Sequence, residues 1–172
     1  MSQILTLRPS RADDQEFLHR LFCSVHSEKL NLALLSVEER NRLIGLMYQG
    51  FAGHYSTIGP AADDRIVLLN NECIGRMILL QTREEIRLAD LAILPQYRQR
   101  GIGTALIGQL QTESLMSNRP VRLHVARFDR ASRLYQRLGF YKIDVEGPYL
   151  HLEWAKRFDP SRHARLNPTF SV

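Results

Sequence analysis

Leu94-Pro95-Gln96-Tyr97-Arg98-Gln99-Arg100-Gly101-Ile102-Gly103-Thr104-Ala105-Leu106 decides the fold. On its N-terminal side, Ile86 to Leu94 is an apolar run that reads as a strand. On its C-terminal side, Ile102, Ala105, Leu106 and Leu110 share one face of an amphipathic helix. A glycine-rich turn that opens a helix leaves several backbone N–H groups without intrahelical partners. Those donors and the positive end of the helix dipole suit a phosphate or pyrophosphate. Gly101 and Gly103 let a ligand approach the backbone, and Arg98 and Arg100 bring charge to the same turn. Two familiar phosphate loops are excluded. The Gly-Lys-Ser/Thr of a Walker loop is missing, and Leu106 stands where a dinucleotide fingerprint needs a third small residue.

A second segment, Ala131-Ser132-Arg133-Leu134-Tyr135-Gln136-Arg137-Leu138-Gly139-Phe140-Tyr141, carries Ala131, Leu134, Tyr135 and Leu138 on one helical face. Gly139 reads as the helix stop, and the aromatic residues after it begin a strand. On spacing alone Tyr135 is a core aromatic with a satisfied hydroxyl. Together, Arg98-x-x-Gly101-x-Gly103 and the later Ala-x-x-Leu-Tyr-x-x-Leu-Gly-Phe element resemble the GNAT superfamily of acyltransferases, in the order that superfamily uses.

The resemblance extends over most of the chain. Ile4 to Pro9 reads as a first strand and Asp13 to His26 as a first helix. Ser36-Val37-Glu38-Glu39 is a capping box opening a helix to about His54. Arg65 to Leu69, the turn Asn70-Asn71-Glu72 and Cys73 to Leu80 read as a hairpin. Ile86 to Leu94 is the fourth strand and Val121 to Val125 the fifth. Phe140 to Asp144 and Tyr149 to Trp154 pair around Gly147-Pro148. The implied fold is α/β (α+β), of GNAT type. It has a central mixed, mostly antiparallel sheet of about seven strands with about four helices, splayed between strands 4 and 5. Residues 1–155 form the N-acetyltransferase (GNAT) domain in this reading, and 156–172 a basic C-terminal extension.

What the resemblance implies about chemistry can be placed residue by residue. The co-substrate is acetyl-CoA and the acceptor a primary amine of unidentified kind, on a small molecule or a protein. The pyrophosphate falls to Arg98, Gln99, Arg100, Gly101, Ile102, Gly103 and Thr104. A backbone N–H of Ile93 or Leu94 polarises the thioester carbonyl. Ala131 and Leu134 lie along the cofactor, and Tyr135 donates a proton to the departing sulfur. Asp90 is the best candidate base, because an acid inside an apolar strand needs a reason to exist. It is read equally well as a hydrogen-bonded structural carboxylate. Glu84 and Glu85 are weaker candidates. Many family members hold the cofactor with an asparagine just before the tyrosine element. This chain has Phe128-Asp129-Arg130 there, and Asp129 is suited to capping a helix that begins near Arg130. The segment Leu30 to Tyr55 corresponds to one wall of the acceptor cleft, with Met47, Phe51 and Tyr55 at core spacing.

Composition sets the remaining bounds. A chain of 172 residues suffices for one domain with a real core. No apolar run reaches membrane-spanning length and no signal segment is visible, which points to a cytoplasmic protein. The two cysteines read as reduced packing residues, and the six histidines show no metal-ligand spacing. The net charge of +5 suits a polyanionic co-substrate. The tail carries Lys156, Arg157, Arg162 and Arg165 against Asp159, but no nucleic-acid motif accompanies it. A homodimer is left open. The alternative function is a non-catalytic acyl-CoA-binding regulatory module.

Overall fold

The computed structural model describes residues 4–29, 35–58 and 62–156. The basic segment from Arg157 onward and part of the stretch after Leu30 lie outside the described residues. Among the described residues, seven strands and four α-helices follow the order expected from the sequence, β-α-α-β-β-β-α-β-α-β-β. The strands are β1 (Leu5–Pro9), β2 (Ala62–Leu69), β3 (Glu72–Gln81), β4 (Ile86–Ile93), β5 (Val121–Ala126), β6 (Tyr141–Glu146) and β7 (Tyr149–Trp154). The helices are α1 (Gln15–Lys29), α2 (Val37–Ile58), α3 (Ile102–Ser117) and α4 (Arg130–Arg137). The sheet order is β1-β2-β3-β4-β5-β7-β6, mostly antiparallel with one parallel pair. The described residues divide into two compact units, one drawn from those up to 82 and from 88–105, the other from 83–87 and 106–156.

In the first unit, β1 lies at the sheet edge and pairs with β2 from Leu5↔Leu69 to Pro9↔Arg65. An edge strand tolerates Pro9, which has no N–H to give. Asn70 and Asn71 join β2 to β3 with φ of 51° and 69°, the left-handed pair that a tight hairpin turn requires. The β2–β3 register slips after Val67, which faces Gly75, while Leu68 faces Cys73. Ile74 is therefore an extra residue on β3, a bulge. Phe17, Leu18 and Leu21 of α1 pack with Ile66 and Leu94, and Ala92 and Cys73 join at the margin. The Ser36 capping box forms as expected. Glu39 N–H donates to Ser36 Oγ at 3.2 Å, and Ser36 N–H to Glu39 Oε2 at 2.9 Å. Before α1, a 3-10 turn (Ala12–Asp14) buries the Asp14 carboxylate against Arg8, at 2.6 and 2.7 Å.

The second unit builds its core from Ile86, Leu106, Ile107, Leu110, Val121, Leu123, Tyr135, Phe140 and Leu152. β5 pairs with β7 from Val121↔Trp154 to Ala126↔Tyr149, and β7 pairs in turn with β6. Glu153 is 3% exposed, yet Arg122 donates to it at 2.7 Å and Tyr141 donates its hydroxyl. Arg122 also reaches Glu85 at 2.8 Å. A carboxylate this deep is tolerable only with such partners.

Among the described residues no helix is long and apolar enough to cross a membrane. None of their His, Cys, Asp and Glu side chains form a cluster of three or more that could hold a metal ion. Cys23 and Cys73 are both free thiols, and burial pushes the Cys23 thiol up.

Candidate active site

The turn after β4 is built from backbone geometry. Pro95 starts a 3-10 turn (Pro95–Tyr97), in which Tyr97 N–H donates to Leu94 O at 2.9 Å. Two residues then take left-handed backbone angles, Gln99 at φ 62° and Gly101 at φ 78°. Gly101 adopts this at no steric cost, whereas Gln99 does so with a side chain. No heavy atom lies within 4 Å of the point a Gly101 Cβ would occupy, so the space above the turn is open. The first intrahelical bond of α3 runs from Ala105 N–H to Gly101 O at 3.0 Å. The N–H groups of Gly101, Ile102, Gly103 and Thr104 precede it, at the positive end of the helix. Ile102 is buried and anchors the turn. Both arginines are exposed and already engaged. Arg98 Nε donates back to Ile93 O at 2.9 Å, and the Arg100 guanidinium sits 5.3 Å from the Tyr97 ring centre. Tyr97 donates to Glu72 at 2.6 Å, and that bond raises its hydroxyl pKa.

Ile93 and Leu94 are not equivalent. Leu94 N–H donates to Ile74 O at 2.9 Å and so is committed to β3. Consecutive N–H groups along a strand face opposite edges, so Ile93 N–H points away from β3. Beside this point the strands come unusually close. A Cβ on Gly75 would lie 2.4 Å from Ala92 O and 2.5 Å from Ile93 Cδ1. The sequence reading missed Gly75 and Ile74. The available signal was a glycine inside an apolar strand, which marks a bulge or a close backbone approach.

Asp90 is half-buried in β4 and lies on the lining of a cleft within the first unit. Leu18, Leu21, Phe22, Val25 and His26 of α1 form one wall of that cleft. Tyr48 and Phe51 of α2 form another, and Arg76, Leu91 and Ala92 lie beside Asp90 on the sheet. Rings dominate the walls. Phe22 lies 3.9 Å from His26, 5.4 Å from Tyr48 and 5.2 Å from Phe51, centre to centre. The Tyr48 hydroxyl donates to Gln15 at 3.1 Å, and burial pushes its pKa up. Arg76 Nε and Nη2 donate to Asp64 at 2.8 and 2.7 Å, and its guanidinium lies 5.4 Å from the Phe51 ring centre. Phe51, expected in the core from its spacing, is half-buried and faces this cleft. Of the weaker acidic candidates, Glu84 is exposed and Glu85 is held by Arg87 and Arg122.

The second unit holds Asp129, Ala131, Leu134 and Tyr135. Asp129 is the N-cap of α4, its Oδ1 accepting Ala131 N–H at 2.9 Å. Its carboxylate thus serves the helix. Phe128, just before it, is 98% exposed. Tyr135 is buried, and its ring meets Phe140 edge-on at 5.5 Å. α4 ends in a Schellman motif. Gly139 N–H donates to Gln136 O and Phe140 N–H to Tyr135 O, both at 3.0 Å, with Gly139 at φ 85°. Gln111 of α3 ties down this end by donating to Leu138 O at 2.7 Å.

Residues 61–142 match the family described as acetyltransferase (GNAT) domain. A protein of Haemophilus influenzae named [ribosomal protein bS18]-alanine N-acetyltransferase is 32% identical over 83 residues, 46% of this chain. The chain spans just over half the length of that relative, 56%. Among solved structures, PaiA N-acetyltransferase from Thermoplasma acidophilum, in complex with coenzyme A, superimposes with a TM-score of 0.67 at 20% identity. The superposition covers 88% of this chain and 99% of that one. A GNAT family acetyltransferase from Elizabethkingia anophelis with acetyl-CoA bound gives 0.59 at 16% identity, covering 88% and 97%. At these identities the structural likeness is one of fold.

Proposed function

We propose that this chain, whose residues 61–142 match the acetyltransferase (GNAT) domain family, moves an acetyl group from acetyl-CoA to the primary amine of an unidentified acceptor by direct attack in a ternary complex. The observation that carries the reading is the turn opening α3. Four backbone donors precede the first helical bond, and the space over Gly101 is open. That arrangement suits a pyrophosphate, and the fold neighbours with coenzyme A or acetyl-CoA support the same co-substrate.

In this reading Gly101, Ile102, Gly103 and Thr104 hold the pyrophosphate through their N–H groups. Arg98, Gln99 and Arg100 supply charge and polar reach around it. Ala131 and Leu134 lie along the cofactor, while Asp129 contributes through its cap rather than by a direct grip. The amine lone pair attacks the thioester carbonyl carbon. Ile93 N–H donates to the oxyanion that forms, the role Leu94 N–H gives up to Ile74. The intermediate collapses by breaking the C–S bond, and the thiolate takes a proton from the Tyr135 hydroxyl. Asp90 takes the amine proton, directly or through one water.

The test is release of free CoA thiol from acetyl-CoA across a panel of primary amines, read alongside CoA binding. Amine-dependent release supports transfer and rejects a module that only binds acyl-CoA. Binding without release on any amine would remove the catalytic reading.

A further inference from the structure

We infer that the cleft lined by Asp90 takes an amine on an apolar or aryl stem that bears no carboxylate near the nitrogen. This rests on the proposed acetyl transfer and names the class of its acceptor. The first ground is which side chains share a face. Ile66, Ala92 and Leu94 pack against Phe17, Leu18 and Leu21 of α1. Side chains alternate along a strand, so Asp64 on β2 and Asp90 on β4 lie on that same face. Arg76 lies opposite Ile66 in register and joins them. Asp90 and Arg76 line the cleft and Asp64 is bonded to Arg76, so this face carries two carboxylates to one guanidinium.

The second ground is how those charges are spent. Arg76 gives Nε and Nη2 to Asp64 in a two-pronged pair and lies against the Phe51 ring. A guanidinium held in that fashion is a poor partner for a carboxylate on the acceptor. The Tyr48 hydroxyl is bonded to Gln15, and Asp64, Asp90 and Arg76 together carry a net negative formal charge. That field favours an ammonium and opposes a zwitterion.

The third ground is the walls. Phe22, Tyr48 and Phe51 offer ring surface, and Leu18, Leu21 and Val25 offer aliphatic surface. Such walls reward burial of an apolar stem, and ring faces attract its cationic end. They give a polyol little in return for its lost water.

The experiment compares matched acceptors with acetyl-CoA as donor: phenethylamine, phenylalanine (the same amine carrying a carboxylate) and glucosamine. Phenethylamine should exceed the other two in kcat/KM by about 100-fold, the scale of one like-charge juxtaposition. Asp64→Asn loosens Arg76, and should shift the phenethylamine-to-phenylalanine ratio about tenfold toward phenylalanine. Calorimetry of phenethylamine into the CoA-loaded protein separates the two claims. Binding without turnover keeps the cleft assignment and sinks acetyl transfer. Turnover on phenylalanine or glucosamine at least as good as on phenethylamine keeps acetyl transfer and overturns the cleft assignment. Neither binding nor turnover overturns both.

Discussion

Leu94 donates its backbone N–H to the carbonyl of Ile74, 2.9 Å away, and Ile74 is the residue that bulges out of the β2–β3 pairing. The bulged residue thus takes up the Leu94 N–H and commits it to β3. Ile93 is the one whose N–H is turned away from β3, and in the proposed reaction it alone meets the thioester oxygen. The near contact of Gly75 with Ala92 O supports that local geometry, since no larger residue fits there without moving backbone.

Gly103 supplies one of the donors before the first helical bond of α3. Gly103→Val should fold, because its position is helical, and should weaken CoA binding tenfold or more, about 1.4 kcal/mol. Calorimetry with CoA on a variant of unchanged circular dichroism measures this. Equal affinity in the folded variant would move the pyrophosphate elsewhere.

Tyr135 is buried and packs edge-on against Phe140, so Tyr135→Phe keeps the ring and deletes only the hydroxyl. If the hydroxyl protonates the leaving thiolate, kcat should fall by ~10²–10⁴ with CoA affinity nearly unchanged. An unaltered kcat at saturating substrates assigns Tyr135 to packing alone.

Asp90→Asn tests the base. An alkylamine is mostly protonated at neutral pH, with a pKa near ~10.4. Without its proton acceptor the variant should lose kcat/KM at pH 7 and recover part of it as rising pH supplies neutral amine. A structural Asp90 gives a lower melting temperature and the wild-type pH profile instead.

Asp14 predicts an acid limit on stability. Its carboxylate is buried, and the two-pronged bond from Arg8 holds its pKa below the ordinary range, aided by Arg11 N–H. A depressed folded-state pKa stabilises fully above the unfolded value, near ~3.9, and the gain is lost as pH falls through the folded value. Melting temperature should therefore drop steeply below about pH 4. Arg8→Ala strands the buried carboxylate and should cost about 3–5 kcal/mol at neutral pH. A variant as stable as the parent at pH 7 would show the pair to be idle.

Local chemistry was the legible part of this chain. The Ser36 capping box, the paired asparagines of the hairpin, the Gly101 turn and the Asp129 cap each depend on residues a few positions apart, and each stands where the sequence places it. Errors arose where a distant partner decides. β6 begins at Tyr141 rather than Phe140, because Phe140 N–H is spent on closing α4. Phe51 has core spacing, but helical periodicity does not say that Arg76 and a cleft lie opposite it. That Leu94 N–H is committed to Ile74 depends on the β3 bulge, which one glycine in an apolar strand only hints at.

The strand order β5-β7-β6 places the last strand in chain order between two earlier ones. As the polypeptide leaves the ribosome, Val121, Leu123 and Val125 emerge before β7, the partner of β5 along one of its edges, and β6 emerges before its own partner. Neither of these two pairings can form until Tyr149 to Trp154 has been synthesised. Until then β5 shows an edge of unpaired N–H and C=O groups, the kind of strand edge chaperones shield. A premature stop ahead of Tyr149 would remove a central strand of the second unit, so nonsense lesions far downstream of the glycine turn should be as damaging in the cell as lesions within it.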